Sequence, residues 1–167
     1  MIEGTPIAKE FDYIYGSKFM YDSNDVAIWP GVSLNYTSKS QYVTTISKGV
    51  LNECDSKAVC KHVKSSERYI PRENFIYIGD GFTDIPSMAA VRSNGGHSIA
   101  VYNPNVKNGK ELCKQLAKDH RVQYVAPTDY TENSPLDLYV KAIIDKIVCD
   151  NVVNNLEHSS TADLFNS

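Results

Sequence analysis

Two carboxylates, four positions apart, are the residues of this sequence best placed to do chemistry. Asp80 and Asp84 follow a short apolar run within IYIGDGFTD at 76–84. A buried strand that ends there would bring both carboxylates to its carboxyl end, where ligands bind in open α/β sheets. Gly79 and Gly81 flank Asp80 and leave room for a ligand to approach. Two hard oxygen ligands beside open space suit Mg²⁺, which keeps several waters and also binds phosphate oxygens.

Lys39 is the second residue that could act on an anion. It falls in the first turn of a predicted helix, where the helix dipole disfavours a cation. The residues alone leave simpler alternatives open: an exposed lysine here, and a Gly-Asp-Gly turn in which Asp84 only helps to cap the next helix. The sequence contains neither a Gly-Lys-Ser/Thr phosphate loop nor a Gly-x-Ser-x-Gly elbow.

The elements that must position these residues alternate regularly in the second part of the chain. We predict strands at 75–78, 97–102 and 122–125, and helices at 84–91, at 106–118 and from Pro135 onward, with Ser134 as the cap. In the first part of the chain, we predict extended segments at 11–15, 18–21 and 26–29, and Pro30-Gly31 ends the last of them. A helix capped by Thr37 or Ser38 should follow and run to about Leu51, with a weaker helix over 57–65. Strand alternating with helix predicts an α/β fold with a parallel sheet covered on both faces.

Composition narrows the class of protein. A chain of 167 residues is one domain, or a domain with a tail, and its net charge of −3 argues against a nucleic-acid partner. No apolar run approaches the roughly 18 residues that cross a bilayer. The N-terminal MIEGTP lacks the features of a signal peptide, so we expect a cytoplasmic protein without a membrane partner. The four cysteines form no Cys-x-x-Cys pair and are expected to be reduced: Cys54, Cys60, Cys113 and Cys149.

Together these motifs resemble the second half of a haloacid dehalogenase (HAD) superfamily hydrolase of the phosphoserine-phosphatase-like branch. Residues 79–84 with Met88 resemble the fourth motif of that superfamily, and Thr37-Ser38-Lys39 resembles the third. The segment 6–31 is similar to the link between the second and third motifs. The resemblance covers about residues 1–145. It implies a three-layer, Rossmann-like core with a mostly parallel sheet over 1–149. The polar composition of 150–167 separately predicts a disordered tail.

The resemblance also implies roles for the three candidate residues in a phosphatase acting on a small phosphorylated substrate. Asp80 would bind Mg²⁺ directly, and Asp84 would hold the metal site directly or through water. Lys39 would neutralise charge on the nucleophilic carboxylate and on the transferring phosphoryl group. Phosphoryl transfer depends mainly on positioning and on positive charge, which a metal ion and a lysine supply.

The chain departs from this family at its start. Members begin with a strand that ends in Asp-x-Asp, whose first aspartate forms the aspartyl-phosphate, and then carry a second-motif Ser or Thr; neither is found here. We therefore expect the C-terminal part of such an enzyme, without its N-terminal strand or strands and its cap, and inactive alone. One alternative is a non-catalytic α/β module that binds a metal ion or a partner. Another is a receiver-like signalling domain, which needs a phosphoacceptor aspartate at a strand end and a separate acidic pair; the sequence does not offer all three. An in-frame strand ending in Asp-x-Asp, encoded upstream of this sequence, would identify the chain as a fragment of the enzyme.

Loss of the first-motif strand has a consequence for the isolated chain. That strand is central in the expected fold, so its absence leaves the apolar edges of neighbouring strands unpaired. We expect the chain to be marginally stable or to self-associate through these edges. Thermal unfolding at several protein concentrations, with sedimentation to count subunits, measures this. A sharp, concentration-independent transition from a monomer would contradict it.

Overall fold

The structure is a computed structural model that describes residues 2–52 and 55–165, so Cys54 lies outside the described residues. Cys60, Cys113 and Cys149 are free thiols. The strands are β1 (Lys18–Tyr21), β2 (Ala27–Val32), β3 (Ile76–Gly79), β4 (His97–Tyr102) and β5 (Tyr124–Pro127). The helices are α1 (Tyr36–Ser47), α2 (Ser56–Cys60), α3 (Ile85–Ser93), α4 (Gly109–Lys118) and α5 (Pro135–Phe165).

A three-stranded parallel sheet of order β3-β4-β5 forms the centre of the fold and confirms the predicted α/β class. On one face, Ala100 of β4 packs with residues of α3 and α4. On the other face, Ile99 and Val101 pack with Leu136 and Ile143 of α5. These five side chains are at most 4% exposed. Such a continuous apolar strand is what a parallel sheet covered by helices requires.

Strand β3 lies at one edge of this sheet. Within the described residues it pairs only with β4, in a parallel register that sets Gly79 beside Ala100. Its Ile78 side chain is 40% exposed, so the expectation of a strand buried on both faces is wrong at this position. The second edge of β3 therefore carries backbone groups without strand partners in the described part of the chain, directly before Asp80.

The N-terminal region departs furthest from the sequence prediction. The segment 11–15 forms no strand; it is irregular chain, and the Tyr15 hydroxyl donates to the Leu51 carbonyl at 3.1 Å. Strands β1 and β2 form a separate antiparallel ribbon. Pro30 does not end β2 but pairs with Phe19 across the ribbon. A two-stranded ribbon tolerates proline because both strands are edges, where a missing N–H need not remove a ladder bond.

Helix α1 begins at least two residues earlier than either predicted cap allows. The cap is Asn35, not Thr37 or Ser38: the Asn35 side chain accepts hydrogen bonds from the backbone N–H groups of both, each at 3.0 Å. The helix ends at Ser47 rather than near Leu51. Gly49 follows with a φ of 72°, in the left-handed region that commonly terminates helices.

Helix α5 begins as predicted and ends later. The Ser134 hydroxyl accepts a hydrogen bond from the Asp137 N–H at 3.2 Å. Where the composition predicts a disordered tail from residue 150, the helix continues to Phe165. Residues 148–161 are all exposed, so local backbone hydrogen bonds rather than packing hold this part of the helix. Neither α5 nor another helix of the described chain is long and apolar enough to cross a membrane.

The burial pattern of α5 predicts which part of it stabilises the fold. A chain shortened to end at Asp150 loses only exposed side chains among the described ones, so we expect its free energy of unfolding to change by less than about 0.5 kcal/mol. Ile143→Ala serves as the comparison. Because Ile143 is 4% exposed, this substitution should lower the free energy of unfolding by about 2–5 kcal/mol. Urea unfolding measures both. Equal losses would contradict the assignment of the core contact to the N-terminal half of α5.

Candidate functional site

An ion pair brings together two of the three residues that the sequence singles out. The Lys39 Nζ, on the first turn of α1, donates to the Asp84 Oδ1 at 2.7 Å. The Asp84 side chain is 9% exposed and the Lys39 side chain 31% exposed. Asp84 lies at the end of a 3-10 turn, Phe82–Asp84, that joins β3 to α3. The lysine thus meets the loop at the carboxyl end of β3.

Tyr77 is a member of this site that the sequence analysis missed. Its hydroxyl donates to the same Asp84 Oδ1 at 2.8 Å. Burial, together with the hydrogen bond to Asp84, raises the pKa of Tyr77 to about 12, so the hydroxyl keeps its proton at neutral pH. The one indication in the sequence is the position of Tyr77 in an apolar run, where alternation sets it on the opposite face from Ile76 and Ile78.

The two donors hold Asp84 in its ionised form. Burial alone works to raise the pKa of this carboxyl, but the hydrogen bonds from Lys39 and Tyr77, the positive charge of Lys39 and a backbone hydrogen bond from Gly81 together outweigh burial and keep the pKa below its usual value. The carboxylate is therefore charged at neutral pH, although it is largely withdrawn from solvent. A charged donor contributes more to such a contact than a neutral one.

The glycines around Asp80 have different roles. A Cβ on Gly79 would lie 2.7 Å from the Asp84 Cβ and 2.5 Å from the Met88 Cε, so glycine is required there for Asp84 to pack against the strand. A Cβ on Gly81 would meet nothing nearer than 4.0 Å, and the Asp84 Oδ2 is one of the two atoms at that distance. The Asp84 carboxylate therefore has its Oδ1 bound by two side-chain donors, its Oδ2 on the side of Gly81, and a further hydrogen bond from the Gly81 backbone N–H.

Asp80 lies on the solvent side of this loop. The residue directly follows β3 and is exposed. Burial raises the pKa of the Cys113 thiol, and the negative charge of Asp80 adds to that effect. Asp80 and Asp84 thus flank the carboxyl end of β3, with Asp80 open to solvent and Asp84 held from within.

The loop after β3 offers two carboxylates, the ligand type that a hard divalent cation takes. Within residues 2–52 and 55–165, no group of three or more His, Cys, Asp or Glu side chains is arranged to hold a metal ion. Mg²⁺ is commonly bound through only one or two carboxylates, with waters and substrate phosphates completing its shell. Asp80 and Asp84 are the two carboxylates of this loop, of which Asp80 is exposed.

Lys48, the other lysine of this helix region, serves the fold. Its Nζ donates to the carbonyls of Val59 and Lys61 at 2.6 and 2.7 Å, which ties the end of α1 to the end of α2. A cavity of about 530 Å³ lies near the same end of α1 and is lined by none of the three candidate site residues. Its walls include aromatic residues of the N-terminal segment and of a later loop: Phe11, Tyr13, Tyr15 and Tyr69.

Comparison with known proteins identifies one similar chain. An "Uncharacterized protein" of Borreliella burgdorferi is 30% identical over 106 residues, which cover 62% of this chain and 34% of the relative. The matched part of this chain therefore spans about a third of the length of that relative. No family model matches the chain. No solved structure matches it either.

The ion pair predicts a pH-dependent contribution to stability. Because the folded pKa of Asp84 is depressed, its stabilisation is present above the unfolded pKa of 3.8 and is lost as the pH falls through the folded value. We expect Lys39→Met to lower the free energy of unfolding by about 1–3 kcal/mol near neutral pH, because it leaves a buried carboxylate without its cation. The difference in free energy of unfolding between Lys39→Met and the parent chain should become smaller below about pH 4.

Urea unfolding near neutral pH and in acid measures this, with Lys107→Met as the control. Lys107 is exposed on the loop before α4 and should change stability by less than about 0.5 kcal/mol. A Lys39→Met deficit that is equal to the control, or that stays constant as the pH falls, would show that the ion pair does not stabilise the fold.

Proposed function

We propose that this chain carries the lysine and metal-binding elements of a Mg²⁺-dependent phosphohydrolase of the HAD superfamily, in its phosphoserine-phosphatase-like branch. The reaction would be hydrolysis of a small phosphate monoester through an aspartyl-phosphate. The observation that carries the proposal is the 2.7 Å contact between Lys39 and Asp84 beside the exposed Asp80. It unites, at the carboxyl end of one parallel strand, a cation and two carboxylates that phosphoryl transfer can use.

Each residue would have a separate task. Asp80, exposed at the strand end, would hold the cation, and Asp84 would support it through the oxygen beside Gly81. Lys39 is anchored on Asp84 by one of its three N–H bonds, while its side chain remains partly open to solvent. It could therefore present positive charge to a phosphoryl group. When bound, Mg²⁺ would neutralise phosphate oxygens and thereby help to position the substrate.

The nucleophile of such a reaction would have to come from another segment. No Asp-x-Asp pair follows an apolar strand in this sequence. The edge of β3 that faces away from β4 is unpaired in the described residues and leads directly to Asp80. An added strand on that edge would end next to the two carboxylates, because the carboxyl ends of parallel strands meet at one edge of a sheet. The greater length of the Borreliella relative is compatible with such a segment.

Calorimetric titration with Mg²⁺ tests the metal site in the chain as it stands. We expect one Mg²⁺ to bind, Asp80→Asn to abolish the binding, and Asp145→Asn, which removes an exposed carboxylate on α5, to leave it unchanged. Hydrolysis of an aryl phosphate, measured in parallel, should not exceed that of Asp80→Asn, because the nucleophile is missing.

Two results would overturn this proposal. If the folded chain binds no Mg²⁺, or if Asp145→Asn weakens binding as much as Asp80→Asn does, the loop after β3 is not the metal site. If the chain hydrolyses the aryl phosphate and Asp80→Asn abolishes that turnover, a carboxylate of this chain attacks phosphorus, and the assignment of the nucleophile to another segment is wrong. Circular dichroism of each variant confirms that the compared proteins are folded.

A further inference from the structure

The cavity near the end of α1 is a second candidate site, separate from the loop after β3. Its volume of about 530 Å³ is in the range of pockets that bind small molecules. The aromatic residues that line it are Phe11, Tyr13, Tyr15 and Tyr69. Phe11, Tyr13 and Tyr69 are between 46% and 75% exposed, so much of their ring surface is open to a ligand. Aromatic surface that is exposed in a cluster is a mark of a binding site.

The charge that lines this cavity has one sign. Its acidic residues are Glu10 and Asp12, and none of the described residues that line it is a lysine or an arginine. Glu10 lies 3.7 Å from the exposed Lys9, whereas the Asp12 carboxylate has no ion-pair or hydrogen-bond partner in the described part of the chain. The lining residues from α1 onward are all uncharged. A ligand that matches this lining therefore combines a positive charge with apolar surface.

Hydrogen bonds hold the segments around this cavity in place. The Tyr15 hydroxyl donates to the Leu51 carbonyl at 3.1 Å, which ties the N-terminal segment to the chain after α1. The Ser47 hydroxyl donates to the Ile70 carbonyl at 3.0 Å, and the Ile70 N–H donates to the Ser47 carbonyl at 3.2 Å. Because Ser47 is 0% exposed, these two bonds fix residues 69–70 against a buried part of α1. The cavity is therefore built into the fold, as small-molecule sites usually are.

We propose that this cavity binds a small organic cation with a quaternary ammonium group. The face of an aromatic ring attracts cations, and clusters of such rings recognise quaternary ammonium ions. Tyr13 and Tyr15 lie with their ring centroids 4.5 Å apart and their planes tilted by 49°, so the lining presents rings in more than one plane. The Asp12 carboxylate adds negative charge to the same lining.

A quaternary ammonium ion suits this lining better than an inorganic divalent cation does. It has no N–H bonds that need acceptors, and its methyl groups match the aliphatic residues of the cavity, Ile46, Leu51 and Ile70. A divalent cation instead takes several oxygen ligands or keeps its waters. Because none of the three candidate site residues lines the cavity, the inference is independent of the proposed function.

An NMR titration of the whole chain with choline, the probe for this class of ligand, is the primary test. Choline chloride replaces sodium chloride at constant ionic strength, so that the shifts report binding rather than screening. We expect saturable shifts of the amide resonances of residues 10–13 and 69–70. The uncharged isostere 3,3-dimethylbutan-1-ol, in which carbon replaces the ammonium nitrogen, should bind about tenfold more weakly. Equal binding of the two compounds, or no saturable shift with choline, would overturn the proposal.

Two variants with matched controls locate the site. Asp12→Asn removes a negative charge and should weaken choline binding about threefold, while Asp145→Asn on α5 should leave it unchanged. Tyr69→Leu removes a ring and retains apolar surface, and should also weaken binding about threefold. Its control is Tyr130→Leu, at a position 67% exposed and outside the cavity. Because Asp12 and Tyr69 are both exposed, neither substitution should unfold the chain, and choline affinities equal to those of the controls would contradict the assignment.

Asp80→Asn separates this site from the proposed metal site. This variant should bind choline with the affinity of the parent chain, because Asp80 does not line the cavity. If Asp80→Asn abolishes choline binding, the loop after β3 holds the cation and the assignment to the cavity is wrong. If the parent chain binds choline as expected and no Mg²⁺, the proposed function fails and the cavity site stands.

Discussion

The ion pair between Lys39 and Asp84 is the contact on which the rest of the site depends. It joins α1 to the loop after β3, 45 residues later in the chain. A buried carboxylate is costly without a positive partner, and removal of one member of such a pair leaves the other uncompensated. The pair therefore constrains its surroundings: Gly79 lacks the side chain that would strike Asp84, and Tyr77 supplies the second hydrogen bond.

The sheet holds this loop in place. Strand β4 is buried on both faces and carries β3 beside it in parallel register, so that the strand end before Asp80 rests on the rigid centre of the fold. Strand β3 itself lies at the edge of the described sheet, with Ile78 partly exposed. The candidate site thus combines a well-packed inner side, which fixes Asp84, with a solvent-exposed side at Asp80.

Local patterns predicted the elements and not the contacts between them. The limits of β4 and the Ser134 cap agree with the prediction, because a buried apolar run and a helix cap are encoded by adjacent residues. The prediction of a strand at 11–15 was wrong, because residues that favour strands form one only where a partner strand is available. Tyr77 was missed because a tyrosine within an apolar run is ordinarily a packing residue. The contact between Lys39 and Asp84 was not predicted, since no local rule connects residues so distant in sequence.

Paramagnetic broadening of amide resonances by Mn²⁺, used as a probe for Mg²⁺, tests the location of the metal site most directly. Asp80 and Asp84 both belong to the loop after β3, so broadening should centre on residues 79–83 and disappear in Asp80→Asn. The amides of α5, which carries its own exposed acidic residues, should remain sharp. Broadening that centres on α5, or that persists unchanged in Asp80→Asn, would contradict a metal site at the carboxyl end of β3.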